Sequence, residues 1–455
     1  MIDEPPTRPL VTYRDPWVLA AAAVALTIAL LYGFLAHPLF NPDDYVRWAV
    51  DFPTWWRTAQ DQFVMRTPGY PLFLYLFFQL GLGNAPIIVV QSLVLAGACV
   101  LTAALTVGAA GVRAGRIAAW CFAGYFPLLT YAGTAMTEVL ATALVLVAAL
   151  AVLRLHRTPE HWLRWGALGA TCVALGMIVR PNVAMYAGVI GLALLWVTWR
   201  AGRGDAVDGG AGAHSLSRGE RLRRVARMAG VIVACTAIVF SPWVIRNLSY
   251  DSALQPFGDD GTYPLALGLH LPWDKTSGRY GSFDRSNHFF GNTRPDHFST
   301  PQARQVRALD ELKNDLEHHF GEFAESRALM AYNMWFWPAT PRIQDGVPEV
   351  IPYGLVRGVH LFMLFLGVTG LWLLRRSAFG KLAIALTGVT FAVELIYWSN
   401  PRYVLPVAPY LLAGSGVTLV ALFNLVRARL DRRGVLDRLA AARRARRGEP
   451  APVES

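Results

Sequence analysis

Ten apolar runs, each about as long as a bilayer is thick, constrain this chain more than any other feature. They cover about residues 17 to 36, 85 to 109, 116 to 133, 135 to 154, 162 to 180, 182 to 199, 228 to 246, 353 to 374, 380 to 398 and 403 to 427. The runs are continuous, not striped, so they are apolar on every face, and with 54% hydrophobic and 16% charged residues the chain has little else to build a soluble surface from. In hydrocarbon each backbone N–H and C=O must be satisfied within the segment, which selects helices. The expected fold is an all-α polytopic membrane protein of about ten transmembrane helices. The first run follows Arg8 and Arg14, lacks a small-residue cleavage pattern and passes into His37-Pro38-Leu39-Phe40, so it reads as a retained anchor and not a signal peptide.

Arginine placement orients the runs. With the N-terminus in the cytoplasm, alternate loops place about 26 basic and about 11 acidic residues inside, a face of about +15. The segment from Asp251 to Glu349 holds about 9 basic and about 14 acidic residues and belongs outside. The formal charge of +11 is concentrated beside helix ends, at Arg218 to Arg227 and in the tail from Arg427 to Arg447, where topology and anionic membrane lipids account for it; nucleic acid is not implied.

The expected organisation is a membrane domain over 1–247 with a first outer loop at 37–83, an extracytoplasmic loop domain over 248–352, C-terminal transmembrane helices over 353–427 and a basic cytoplasmic tail over 428–455. In the first loop Trp48, Phe52, Trp55, Trp56 and Phe63 alternate with charges, which predicts a pair of interfacial helices broken at Pro53; Leu72 to Leu80 is too short to span and reads as a re-entrant or surface helix. Ala201 to Gly219 reads as a flexible cytoplasmic loop. Thr300 and Pro301 open a helix with Val306, Leu309, Leu312, Leu316, Phe320 and Phe323 on one side, expected to lie over the membrane domain, and Trp335, Phe336 and Trp337 return the chain to the interface.

Chemistry-bearing residues gather at the expected outer ends. Asn41-Pro42-Asp43-Asp44-Tyr45 is a good helix start, with Asn as N-cap and carboxylates on the first turn; an Asp at the outer surface also suits a general base, and a second carboxylate beside it strengthens that base. Arg66, Arg180, Arg246 and Arg402 lie where topology disfavours arginine; each alone suits a snorkelling anchor, and four on one side suit a phosphate clamp. Glu138 at the start of the fourth run fits either the helix dipole or a site. Glu394, inside the ninth run, calls for a partner, and Arg402 or Arg357 could supply it. Cys99, Cys121, Cys172 and Cys235 lie in apolar runs and form no disulfide framework; His270, His288, His297, His318 and His319 lack metal-ligand spacing, so no cofactor is implied, although a divalent metal stays open. No phosphate-cradling glycine loop or GxSxG is present, which argues against a nucleotide-sugar donor.

Asp43-Asp44-Tyr45, Arg66-Thr67-Pro68-Gly69-Tyr70-Pro71, Ser241-Pro242-Trp243-Val244-Ile245-Arg246-Asn247 and Asn400-Pro401-Arg402-Tyr403, in that order on this topology, resemble the GT-C superfamily of polyprenyl-phosphate-sugar glycosyltransferases, and within it proteins similar to protein O-mannosyltransferases and lipid A aminoarabinose transferase. The resemblance implies the GT-C fold and transfer of a sugar from a polyprenyl-phosphate donor to a lipid, glycan or protein acceptor, with inversion. It implies Asp43 as base, Asp44 orienting the acceptor or the pair, Arg66 with Arg246, Arg402 and Arg180 on the donor phosphate, and Tyr70 and Glu138 against substrate. The Ala, Gly and Arg bias fits a GC-rich bacterium, hence an inner-membrane protein with its site on the extracytoplasmic face. A lipid or solute transporter or flippase is the rival, but no inverted repeat is visible and the one-sided outer loop is large. A non-catalytic assembly or receptor protein would have no need of the acidic pair.

Overall fold

The computed structural model describes residues 14–35, 45–57, 67–201, 216–249, 301–336, 338, 353–396 and 401–432. The regular elements among them are helices: α1 (Pro16–Leu35), α2 (Tyr45–Val50), α3 (Phe52–Arg57), α4 (Gly69–Gln79), α5 (Ala85–Ala110), α6 (Val112–Ala123), α7 (Phe126–Leu129), α8 (Glu138–Arg157), α9 (Trp162–Val179), α10 (Ala184–Ala201), α11 (Arg218–Leu248), α12 (Pro301–His318), α13 (Phe320–Phe336), α14 (Tyr353–Leu373), α15 (Ala378–Glu394) and α16 (Ala408–Arg432), with 3-10 turns at Thr130–Gly133, Pro159–His161, Pro181–Val183 and Pro401–Val407. The protein is an all-α, multi-pass membrane protein. Eight of the described helices, α1, α5, α8, α9, α10, α11, α14 and α16, are long and apolar enough to cross a bilayer, while α15 is an apolar helix of 17 residues.

The third expected span is the main departure. Residues 116 to 133 are not one helix: α6 stops at Ala123, Gly124 and Tyr125 turn the chain, and Pro127 starts α7 before the 3-10 turn. A proline lacks the N–H of an interior position and clashes with the carbonyl four residues back, so it is accommodated by opening a new helix. The break lets Gly133 meet Gly33 of α1 backbone to backbone; a Cβ on Gly133 would lie 2.8 Å from the Gly33 Cα.

The break between α2 and α3 falls at Asp51, two positions before Pro53, which sits in the first turn of α3 as its missing N–H allows. α4 turns through Gly81 and Gly83, both at φ +64°, a left-handed conformation that costs glycine nothing, and the chain re-enters at α5. α14 and α16 run parallel: Ser415 Oγ donates to the Met363 carbonyl at 2.9 Å and Thr418 Oγ1 to that of Leu366 at 2.7 Å. Gly370 and Gly414 permit this approach, since a Cβ on Gly414 would overlap the Gly367 carbonyl oxygen. Lipid gives apolar side chains no reason to associate, so such small-residue contacts and interhelical hydrogen bonds hold spans together.

α12 begins at Pro301 as expected but ends at His318, and its Leu309 and Leu316, with Phe320 after it, are exposed. α13 is the helix that docks. Its Met330, Met334 and Trp335 are buried, and the Trp335 carbonyl meets His360 Nε2 of α14 at 2.8 Å while His360 Nδ1 meets the Tyr125 hydroxyl at 2.8 Å. The expectation that α12 covers the membrane domain is therefore corrected: burying α13 uses the surface at Pro401–Val407 and α14.

The bundle has two ends. At one, Arg116 pairs with Asp15 at 2.9 Å, Arg157 donates to the Gly108 carbonyl at 2.6 Å and Arg224 donates to that of Pro159. At the other, Gly33 meets Gly133, Tyr70 lies over the 134–138 turn and Arg180 and Arg402 converge. Helices α2 to α4 and α13 share the second end, opposite the start of α11, in keeping with the alternation of loops expected from the arginines.

Candidate functional site

Glu138 is the focus of the second end. It is the first residue of α8, where the helix dipole favours a carboxylate, and it is 1% exposed. Arg180 arrives from the joint between α9 and α10. Pro181 disfavours helical backbone in the residue before it, so Arg180 is extended (φ −152°, ψ 115°), α9 ends at Val179, and the side chain leaves the helix pair sideways. Its Nη1 lies 2.6 Å from Glu138 Oε1 and 3.3 Å from Thr137 Oγ1. Arg402, from the Pro401–Val407 turn ahead of α16, brings its Nε to 3.8 Å from the same oxygen. Tyr403 places its ring beside both guanidiniums, 4.9 Å from Arg180 and 5.6 Å from Arg402. Among the described residues two cations share this one carboxylate, and Glu138 Oε2 is buried without a hydrogen-bond partner among them.

The turn after Arg66 and the start of α2 are built onto this cluster. Gly69 lies so close to the end of α9 that a Cβ would stand 2.8 Å from the Ile178 carbonyl, which excludes any larger residue without displacing backbone. Tyr70 is fully buried; its hydroxyl meets Gln91 Oε1 at 3.0 Å and the Thr134 carbonyl at 3.4 Å, and Gln91 Nε2 donates to the carbonyls of Ala132 and Thr134, both at 3.0 Å. This network fixes the backbone leading into Glu138. Tyr45 packs edge-on to Tyr70, ring centroids 5.1 Å apart, in an apolar cluster with Leu74, Ile87, Ala135 and Val179.

Of the sequence-derived candidates, Glu138, Arg180, Arg402 and Tyr70 come together at one place. Asp43, Asp44 and Arg66 lie outside the described residues; of their chain neighbours, Tyr45 is buried against Tyr70 and Thr67 is buried two residues before Gly69. Arg246 belongs to a second group: it donates to the Trp55 carbonyl at 2.9 Å and the Trp56 carbonyl at 3.2 Å, closing the end of α3, and stacks near Trp55 and Trp243. Arg402 meets Glu138, a partner not anticipated for it; the Glu394 side chain lies outside the described residues, and Arg357 donates to the Tyr332 hydroxyl at 3.1 Å. Gln91 and Thr137 were not singled out, and Tyr403 entered only as a member of the Asn400-Pro401-Arg402-Tyr403 motif. A lone amide inside an apolar run was the signal for Gln91; nothing local marks Thr137. Among the described residues no group of His, Cys, Asp and Glu is arranged to hold a metal ion.

No protein-family model and no curated protein sequence matches the chain. Among solved structures its fold is similar to three of the Archaeoglobus fulgidus oligosaccharyltransferase. The archaeal oligosaccharyltransferase AglB in complex with an inhibitory peptide and a dolichol-phosphate aligns at 13% identity over 92% of this chain and 52% of that one, with a TM-score of 0.48. The apo form aligns at 14% over 93% and 52%, and the form tethered to an acceptor peptide containing the NVT sequon at 13% over 92% and 51%, each with a TM-score of 0.48. The chain spans about half the length of these structures.

Proposed function

We propose that the chain is a GT-C-type glycosyltransferase that moves a sugar from a polyprenyl-phosphate donor to the hydroxyl of a lipid, glycan or protein acceptor at the extracytoplasmic face. The observation that carries this is the buried Glu138–Arg180–Arg402 group, built against the Thr67–Tyr70 turn and Tyr45, the residues that follow Arg66 and the Asp43-Asp44 pair. The group sets two guanidiniums side by side at a membrane end, where an anionic phosphate is poorly hydrated and a guanidinium fork matches its oxygens.

In this reading Asp43 takes the acceptor proton as the acceptor attacks the anomeric carbon, the bond from that carbon to the phosphate oxygen breaks, and the phosphate leaves with the electron pair. Attack from the face opposite the phosphate inverts the anomeric centre. Arg66, Arg180 and Arg402 neutralise the departing phosphate, and Glu138 holds the last two in place. Tyr70, being fully buried, acts by fixing the 134–138 backbone, and Arg246 acts by closing α3. The test is incubation of purified protein with a panel of polyprenyl-phosphate sugars, scoring free polyprenyl phosphate. Release with at least one sugar, lost in Asp43→Asn, is expected; no release from any member, with an acceptor mixture present, overturns the proposal.

A further inference from the structure

The bundle end opposite Glu138 carries a second arginine group that glycosyl transfer does not use. α11 opens with a capping box: Glu220 N–H donates to Ser217 Oγ at 3.2 Å, and Ser217 N–H donates to the Glu220 carboxylate at 2.9 Å. Arg221 and Arg224 follow on one face, three residues apart. Arg221 turns to α10, its guanidinium 4.9 Å from the Trp199 ring; Arg224 turns to the start of α9, 5.8 Å from the Trp162 ring, and donates to the Pro159 carbonyl. Arg154 at the end of α8 lies 5.8 Å from the Trp165 ring, whose Nε1 donates to Thr158 Oγ1 at 2.9 Å. Arg164 adds a further guanidinium 5.1 Å from Trp165, and Arg200 stands 4.7 Å from Trp196.

Two features separate this group from a solvated basic face. The Nε atoms of Arg154, Arg221 and Arg224 are all buried without a hydrogen-bond partner among the described residues. Of the described acids of this end, Asp15 pairs with Arg116, Glu220 with the cap and Asp431 with Arg427 at 3.9 Å, while the exposed Glu160 acts on Arg224 through its field and forms no hydrogen bond with it. Buried guanidinium N–H groups call for acceptors, and among the described residues this end supplies aromatic faces and, for Arg224 alone, the field of the largely exposed Glu160. Indole rings place the group at head-group depth, and the exposed Leu192 and Trp196 of α10 and Val233 of α11 offer apolar surface for acyl chains along the same helices.

We propose that the ends of α8 and α10 and the starts of α9 and α11 form a binding site for the phosphodiester head group of an anionic phospholipid, held by Arg221 and Arg224 with Arg154 and flanked by Trp162, Trp165 and Trp199. The site is independent of the proposed transfer reaction and lies in the leaflet opposite to it.

The experiment reconstitutes the wild-type protein, Arg221→Gln/Arg224→Gln and a control, Arg375→Gln/Arg376→Gln, into vesicles of phosphatidylcholine with about one part in ten of phosphatidylglycerol, extracts them gently and counts retained lipids by native mass spectrometry. The control removes the same charge beyond the end of α14, where Arg375 also stacks on a tryptophan, Trp372. Wild type and control are expected to retain phosphatidylglycerol in preference to phosphatidylcholine, and the double variant to lose that preference by about tenfold or more, the effect of one lost charge-assisted contact. Equal retention by wild type and double variant overturns the proposal, as does equal loss in the control, which would mean a general field. Millimolar inorganic phosphate is expected to leave the lipid in place; its displacement would assign the site to free phosphate. Should the double variant fail to fold, Arg221→Gln alone decides, because its guanidinium has no protein hydrogen bond to lose among the described residues.

Discussion

Replacing Glu138 by Gln removes the charge and keeps the shape, and the structure fixes what that should cost. Glu138 faces two guanidiniums, with side-chain exposures of 7% for Arg180 and 16% for Arg402. Unit charges about 4 Å apart interact by about 4 kcal/mol at an effective dielectric of about 20. The carboxylate's two attractions oppose the repulsion between the arginines; the amide removes both attractions and leaves the repulsion in place. Part of this is recovered through the hydrogen bond that the amide oxygen still accepts and through relaxation of the partly exposed Arg402, so the loss should be about 3 to 5 kcal/mol, the range for removing one member of a buried pair. Unfolding of the purified protein in mixed micelles by a denaturing detergent, followed by tryptophan fluorescence, measures it. Glu138→Gln/Arg402→Gln should be more stable than Glu138→Gln alone by about 1 to 3 kcal/mol, since the second change removes the repulsion. Added polyprenyl phosphate should raise the stability of Glu138→Gln more than that of wild type, an anion replacing the missing carboxylate. A loss below about 1 kcal/mol for the single variant, or additive losses in the double, would refute the electrostatic account of this group.

Asp43→Asn should abolish transfer with expression and detergent stability near wild type, and Asp44→Asn should be milder; turnover by Asp43→Asn near that of wild type, in the polyprenyl-phosphate release assay, would remove the base assignment. Arg66→Ala should weaken donor binding by about ten- to a hundred-fold, with Lys restoring only part, and unchanged donor KM and turnover would return Arg66 to the role of a membrane anchor. Asp15→Ala should lower stability at pH 7 by about 1 to 2 kcal/mol, because Asp15 both caps α1 through the Trp17 N–H at 3.0 Å and pairs with Arg116. Partial burial pushes the Asp15 carboxyl up, but Arg116 and the Trp17 and Val18 N–H groups outweigh it and hold the pKa below the usual carboxylate value. The stability it contributes is therefore fully present above the unfolded value of about 3.9 and lost as pH falls through the lower folded value, so detergent unfolding should show the two proteins converging only in that acid range.

The spans were legible because their signal is local. A run of some twenty apolar residues can satisfy its backbone only as a helix in lipid, whatever its neighbours do. The same holds for the start of α12 at Pro301 and for the α2–α3 break near Pro53, where a missing N–H acts on its own turn. The break at Gly124–Pro127 was written in the sequence too, but lay within an apolar run whose hydropathy does not register a change of direction. The amphipathic side of α12 was a true pattern with the wrong consequence, since helix periodicity shows which residues could be buried and not which helix wins the available surface; α13 took it through Met330, Met334 and Trp335.

For the site, sequence alone put Glu138, Arg180, Arg246 and Arg402 at one set of helix ends, because a charge in an apolar chain has few places to stand. Only the tertiary structure decided the pairing: that Arg180 and Arg402 share Glu138 over Tyr403, that Tyr70 and Gln91 fix the turn leading to it, and that Arg246 donates to the end of α3. The reason is physical. The apolar runs specify that each helix crosses the bilayer, but the choice of neighbour among similarly apolar helices rests on the close approach of small residues and on single polar contacts between segments distant in the chain, and neither is visible until the helices are packed.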